Sequence, residues 1–222
     1  MWYIRSMKIT AIETQARDAE RVNIYVDGRF LLGASAEVVA RLELEVEQEL
    51  EPEQLEQLHG EEELQRAVER AYNFLSYRPR SRVEVRRYLK RKETPPAIIE
   101  AALAKLDRLN LTNDEAFTTF WIENRAQFSP RGERALKNEL RQKGVERDIV
   151  DELVDDGQDE ELALRAGRKK AQSLARLPGI DLATFRTRLG SFLQRRGFGY
   201  AVVSRAVRML WEETQEREST DE

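Results

Sequence analysis

Eleven basic side chains and a single acid occupy residues 162–211, a net charge of +10. Arg165, Arg168, Lys169 and Lys170 fall close together, and Arg186, Arg188, Arg195, Arg196, Arg205 and Arg208 follow. Guanidinium and ammonium groups at this density neutralise phosphates and release counterions, which binds nucleic acid without reading its sequence. The rest of the chain is balanced differently. Residues 1–64 carry 6 basic and 15 acidic groups, residues 65–161 carry 19 of each, and residues 212–222 have a net charge of −5. Solvated helices ordinarily mix signs, so this segregation points to a polyanionic or acidic partner. The plainer alternative is that the acidic ends neutralise the basic segment within the molecule.

Catalytic chemistry has little to work with. His59 is the sole histidine and cysteine is absent. That removes Cys–His pairs, two-histidine metal sites and disulfides, leaves His59 as the one imidazole a Ser–His pair could use, and fits a reducing cytosol. No phosphate-cradling G-x-x-x-x-G-K-[ST] or G-x-G-x-x-G pattern occurs. Asp155, Asp156 and Asp159 lack a calcium-loop pattern and read as solvated charge after a helix end. Leu177-Pro178-Gly179-Ile180 is similar to the hairpin of helix-hairpin-helix DNA-binding modules. Asp181 stands where that motif has a second glycine, so the segment reads as an ordinary loop. Neither enzymatic activity, nor a cofactor, nor a metal is expected. No run approaches the roughly 20 apolar residues of a membrane helix, and Met1 to Met7 lacks the apolar stretch of a signal peptide. Met7 is an alternative start.

The elements that must carry the basic groups are set out by a repeat. Val85, Leu89, Lys92, Ile98, Ile99 and Leu103 recur 51 residues later as Leu136, Leu140, Lys143, Ile149, Val150 and Val154. They recur again after a further 53 as Leu189, Leu193, Arg196, Val202, Val203 and Val207. A period near 50 predicts tandem structural modules stacked into a binding surface. The apolar spacing is helical, and connections of a few residues suit short bundles. The expected fold is mainly α: three tandem three-helix repeats in an elongated array, over 61–111, 112–157 and 158–211. A small N-terminal β-hairpin domain with an acidic linker (1–60) precedes them, and an acidic tail (212–222) follows.

Local signals fill in the outline. Val22, Ile24 and Val26 alternate with polar residues before Asp27-Gly28, and Phe30 and Leu32 follow, a hairpin with a type I′ turn. Ser35 is placed as the cap of a short helix to Leu42. Glu43 to Glu63 reads as a solvated helix or linker. Ser81 with Glu84 and Thr112 with Glu115 read as capping boxes, and Thr94-Pro95 and Ser129-Pro130 as helix starts. Phe117, Phe120, Trp121 and Phe128 are assigned to the second core. Gly144 and Gly197 sit where a helix end takes a left-handed residue, while Glu93 occupies that place in the first copy. Pro and Ser explain the punctuation at Arg78-Pro79-Arg80 and Ser129-Pro130-Arg131, but not Arg80 and Arg131, so these junctions are candidate recognition points.

Tyr77-Arg78-Pro79-Arg80-Ser81-Arg82-x-Glu84, Leu89, Phe128-Ser129-Pro130-Arg131-Gly132 and Leu140-x-x-Lys143-Gly144 together resemble the RecX regulatory family. The resemblance covers residues 64–211, and the N-terminal hairpin is similar to an extension of some longer members. Glu93 and the acidic tail depart from it. What it implies is a non-enzymatic, cytoplasmic modulator of RecA recombinase in homologous recombination, DNA repair and the SOS response. It would bind the RecA–single-stranded DNA filament and oppose strand exchange. The alternative is a sequence-nonspecific single-stranded DNA-binding protein that competes with the recombinase. Candidate partner or DNA contacts are Arg78, Arg80, Arg131, Arg165, Arg168, Lys169, Lys170, Arg195, Arg196, Arg205 and Arg208, on a chain expected to be monomeric and without a membrane partner.

Overall fold

A computed structural model describes residues 7–220. The reading of residues 1–6 as an extension and the last residues of the acidic tail lie outside them. Contacts divide the chain into two units: residues up to Arg78 together with Val85–Leu111, and Pro79–Glu84 together with the chain from Thr112 onward.

The first unit begins as a sheet. Strands β1 (Met7–Gln15), β2 (Asp18–Val26), β3 (Arg29–Ser35) and β4 (Glu49–Leu50) form one antiparallel sheet in the order β3-β2-β1-β4. Asp27 and Gly28 have φ of 48° and 75°, the pair of positive values a type I′ turn needs. Ile9, Val22, Ile24, Val26 and Leu32 line the inner face and pack on Val38 of α1 (Ala36–Arg41). Ser35 caps α1 by accepting from the Glu37 amide at 3.1 Å.

The acidic stretch is neither a linker nor fully solvated. Helix α2 runs unbroken from Pro52 to Leu75. Its first half closes the sheet core through Leu58, and its second half gives Ala67, Val68 and Ala71 to the first helical core. Glu62 is the fastening between them. It is 4% exposed, accepts from the Ser35 amide at 2.8 Å, and accepts from Arg21 at 2.5 Å and Arg66 at 2.6 Å. Both guanidiniums also donate to the Gly33 carbonyl. The sheet is thereby anchored to the first repeat.

The helical cores follow the sequence pattern. The first joins α2 with Val85 and Leu89 of α3 (Arg82–Arg91) and with Ile99, Ala102, Leu103 and Leu106 of α4 (Pro96–Arg108). The second sets Phe117 of α5 (Asp114–Phe128) against Leu136 and Leu140 of α6 (Glu133–Gln142) and Val150 of α7 (Arg147–Leu153). The third is the largest. It joins α8 (Asp159–Ala175), α9 (Leu182–Arg195) and α10 (Tyr200–Thr220) through Phe185, Leu189, Leu193, Val203, Val207 and Leu210. In every copy four of the five repeated apolar positions are buried, and Ile98, Ile149 and Val202 alike are half-buried.

Several helix starts are displaced from the expected residues. Asn113, not Thr112, caps α5 by accepting from the Ala116 amide at 2.9 Å. Pro95 precedes α4 in place of Thr94, whose hydroxyl is buried without a hydrogen bond. Ser129 ends α5, and Gly132 precedes α6. Phe128 is 72% exposed and supplies no core bulk.

Removing one partner from a buried ionic network leaves the others uncompensated, at a cost of about 3–5 kcal/mol. Glu62→Ala is expected to destabilise the first unit by that order, read as a fall in the urea midpoint followed by circular dichroism.

Candidate partner and nucleic-acid interface

The basic position of the repeat has a structural task in the second unit. Lys143 follows α6, and its ammonium sits 4.1 Å from the centre of the Trp121 ring and 2.8 Å from Glu84. The Ser81 hydroxyl donates to the Lys143 carbonyl at 2.6 Å and accepts from the Glu84 amide at 3.1 Å. Arg196, the equivalent 53 residues on, stacks on Phe192 at 4.7 Å and donates to the Pro130 carbonyl at 3.3 Å. Its own carbonyl accepts from the Gly132 amide at 3.0 Å. Gly132 is the counterpart of Ser81 at offset 51. The same turn therefore sits on the same preceding segment twice.

Glycine is required there by crowding. A Cβ on Gly144 would lie 2.6 Å from the Val83 Cβ, and one on Gly197 would lie 2.9 Å from the Ala135 Cα and nearer still to that residue's Cβ and amide. Gly144 has φ of 82° and Gly197 of 89°, and Glu93 adopts a similar 59°. Glu93 is exposed, so the first copy keeps the left-handed turn without the close neighbour. This accounts for its departure from the family pattern: strain of about 1–2 kcal/mol is tolerable, overlap is not.

Each of these junctions also carries a cap supplied from a distance. Asp114, at the start of α5, accepts from the Arg82 amide at 2.9 Å, and Asp159, at the start of α8, accepts from the Glu133 amide at 3.2 Å. Arg82 and Glu133 are the first residues of α3 and α6, where unsatisfied amides and the helix dipole favour an anion. Helix α9 differs. Its own Asp181 accepts from the Thr184 amide at 2.7 Å, which holds that carboxyl below its usual range. Asp159 is thus a cap and not part of a solvated charge run. It is 3% exposed. Burial foremost, then the neighbouring charges of Glu133, Asp156 and Asp155, push its carboxyl up to about 6.

The candidate contacts separate into two groups. Arg131 and Arg196 are half-buried at the junction. Arg131 Nε lies 3.5 Å from Glu139, which also accepts from Trp121 at 2.9 Å and Arg125 at 2.7 Å. Burial and the charge of Arg131 lower the pKa of Arg196. Arg78 and Arg80 are likewise half-buried. Arg165, Lys169, Lys170, Arg195 and Arg208 are exposed. Two further members are partly neutralised by acids that flank the basic segment: Arg168 pairs with Glu213 at 3.1 Å and Arg205 with Glu160 at 3.2 Å. The charge is therefore offset at its margins and open elsewhere.

Tyr77 (84% exposed) and Phe128 (72%), the aromatics that match at offset 51 ahead of the two Pro-Arg pairs, both face solvent, each after or at the end of its repeat's first helix. A groove between α9 and α10, lined by Arg186, Arg205, Arg208, Leu182 and Trp211, has no counterpart in the sequence pattern. Of the aromatics that interleave with arginines here, Phe185 and Phe198 are buried and Phe192 lies under Arg196, leaving Tyr200 exposed. Among the described residues no cluster of His, Cys, Asp or Glu could hold a metal ion, and no helix is long and apolar enough to cross a membrane.

Three copies of one three-helix unit, with recurrent turn-on-helix junctions, define a tandem helical-repeat protein. Comparison with known proteins specifies which kind. The chain matches the RecX N-terminal domain over residues 7–51 and the first, second and third RecX three-helix domains over 67–106, 113–154 and 158–207. Regulatory protein RecX of Bacillus subtilis is 30% identical over 94% of this chain and 79% of its own length. That of Bacillus velezensis is 31% identical over 96% and 80%. A crystal structure of regulatory protein RecX shares the fold with a TM-score of 0.71 at 24% identity, over 89% of this chain and 97% of that one. RecX from Lactobacillus salivarius gives 0.56 at 23%, over 67% and 96%. The chain belongs to the RecX family.

Overlap plus a left-handed alanine should make Gly197→Ala and Gly144→Ala cost about 2 kcal/mol or more, whereas Glu93→Gly should stay within about 1 kcal/mol of the parent. Urea midpoints of the three variants check this contrast. Asp159 yields a pH test. A carboxyl whose pKa rises on folding holds its proton more firmly in the folded chain, so its ionisation opposes folding. That opposition is absent below about pH 4 and complete above about pH 6. Asp159→Asn is therefore expected to be more stable than the parent at pH 7.5, by about 1–2 kcal/mol, with the gain gone at pH 4.

Proposed function

We propose that this chain regulates RecA recombinase by binding the RecA–single-stranded DNA filament and opposing its growth or persistence. The observation that carries the reading is family membership over the N-terminal domain and all three helical domains. The surface features support it. Tyr77 and Phe128 present an aromatic ring at the same point of two repeats, and exposed Tyr and Arg side chains are common anchors of protein interfaces. A partner that itself repeats, as a filament does, engages such copies together and gains from effective concentration. Arg165, Lys169, Lys170 and Arg195 supply electrostatic attraction toward DNA or an acidic filament surface. Such a regulator works in the cytoplasm, where the recombinase meets DNA, and needs no catalytic group of its own.

The test is RecA-catalysed, single-strand-dependent ATP hydrolysis with increasing amounts of this chain. The parent is expected to slow hydrolysis and to sediment with filaments. The Tyr77→Ala, Phe128→Ala double variant is expected to need at least tenfold more protein for the same effect. Unchanged hydrolysis and no co-sedimentation at saturating protein would refute the proposal. Inhibition that appears only when the chain has coated the free single strands would favour competition for DNA instead.

A further inference from the structure

The third repeat has a surface whose shape and chemistry the family assignment leaves unused. Two adjoining hollows between α9 and α10, of about 340 and 200 Å³, share Arg186, Ser204 and Val207 and so form one continuous groove. Leu182 and Trp211 lie toward one end, and Gln194 and Tyr200 toward the other. Gly190, Ser191 and Ser204 keep the middle shallow and provide two hydroxyls. Arg205 and Arg208 are one helical turn apart on α10, and Arg186 faces the groove from α9. Glu212 is the only carboxylate among the lining residues. Arg186 and Arg208 make no ion pair among the described residues, and the Arg205–Glu160 pair is half-exposed and weakly held.

We infer that this groove binds single-stranded nucleic acid, with Arg186, Arg205 and Arg208 on successive phosphates and a base stacked on Tyr200. The charge calls for a polyanion. Residues 182 to 194 of α9 extend about 18 Å at the rise of an α-helix, enough for a few nucleotides. A duplex is disfavoured because it receives a protruding helix or ribbon into its own groove, whereas here the protein provides the depression. Tyr200 is 68% exposed, and its ring is open to a base of any identity. A positively charged track with an aromatic platform is the usual means of holding single strands without sequence preference. The small, hydroxyl-bearing floor suits a sugar–phosphate backbone better than the side chains of an acidic peptide. The inference holds whether or not the recombinase reading does.

Fluorescence anisotropy of a labelled oligothymidylate with the full chain, over a range of salt, tests it. The Arg186→Glu, Arg208→Glu double variant is expected to bind at least tenfold more weakly. Its slope of log K against log salt should be shallower by about 1.4, since each phosphate contact on a single strand contributes about 0.7. Tyr200→Ala should weaken binding about tenfold with the slope unchanged. Lys90→Glu, Arg91→Glu on α3 lies outside the groove and outside the basic segment and should change affinity less than threefold, and circular dichroism checks that every variant is folded. Parental affinity and slope in the groove double variant would overturn the inference. So would loss of binding to polyglutamate with oligothymidylate binding retained, which would assign the groove to an acidic protein. RecA ATP hydrolysis measured on the same variants separates the two proposals, because a chain that fails to inhibit but binds the oligonucleotide through the groove leaves this one standing.

Discussion

The second unit depends on the absence of two methyl groups. At Gly144 and Gly197 the chain turns left-handed against Val83 and Ala135, with no space for a Cβ. The hydrogen bonds to the Lys143 carbonyl and from the Gly132 amide, and the seating of the Lys143 and Arg196 side chains, rely on that proximity. Protein interiors are close-packed and respond to single methylene groups, so this contact fixes position more firmly than a surface ion pair would. The aspartate caps act at the same points. Asp114 and Asp159 satisfy helix amides that their own repeats do not contain, so the start of one helix is completed only when a later segment is in place.

These junctions alter the meaning of the basic residues. Lys143 and Arg131 fall among the family's motifs, and Arg196 is the repeat counterpart of Lys143, yet they lie on aromatic rings, carbonyls and Glu139, and their charge is partly withdrawn from solvent. The outward charge is that of α8 and of the α9–α10 groove. Motif residues and surface residues therefore differ in setting: the first fasten a turn against the segment before it, and the second carry charge that faces solvent.

The cores were legible because a buried stripe imposes a period on the chain, and Val85, Leu89, Ile99 and Leu103 with their counterparts keep it. The Asp27-Gly28 hairpin was legible because few residues accept two positive φ values in succession. The caps were less so. Local rules favour the nearest Ser or Thr, whereas the groups that satisfy Arg82 and Glu133 lie 32 and 26 residues away. Glu62 was hidden for a related reason. In a run rich in glutamate nothing marks the one that three partners draw inside. The α9–α10 groove, likewise, is made by two helices whose separate patterns record their core faces and not the space between them.

One difference between the copies also decides which turns can be received by a neighbouring segment. The turn at Glu93 bears a side chain where a neighbouring segment would have to fit, so nothing like the Gly144 contact can be built ahead of it. At the other end α9 is capped by its own Asp181, and the Phe-Ser-Pro-Arg-Gly segment that receives a following turn is missing. A repeat architecture is in principle built from interchangeable units. Here a glutamate at one turn and an aspartate at one helix start make the copies non-interchangeable, and among the described residues the turn-on-helix contact belongs to the Gly144 and Gly197 turns.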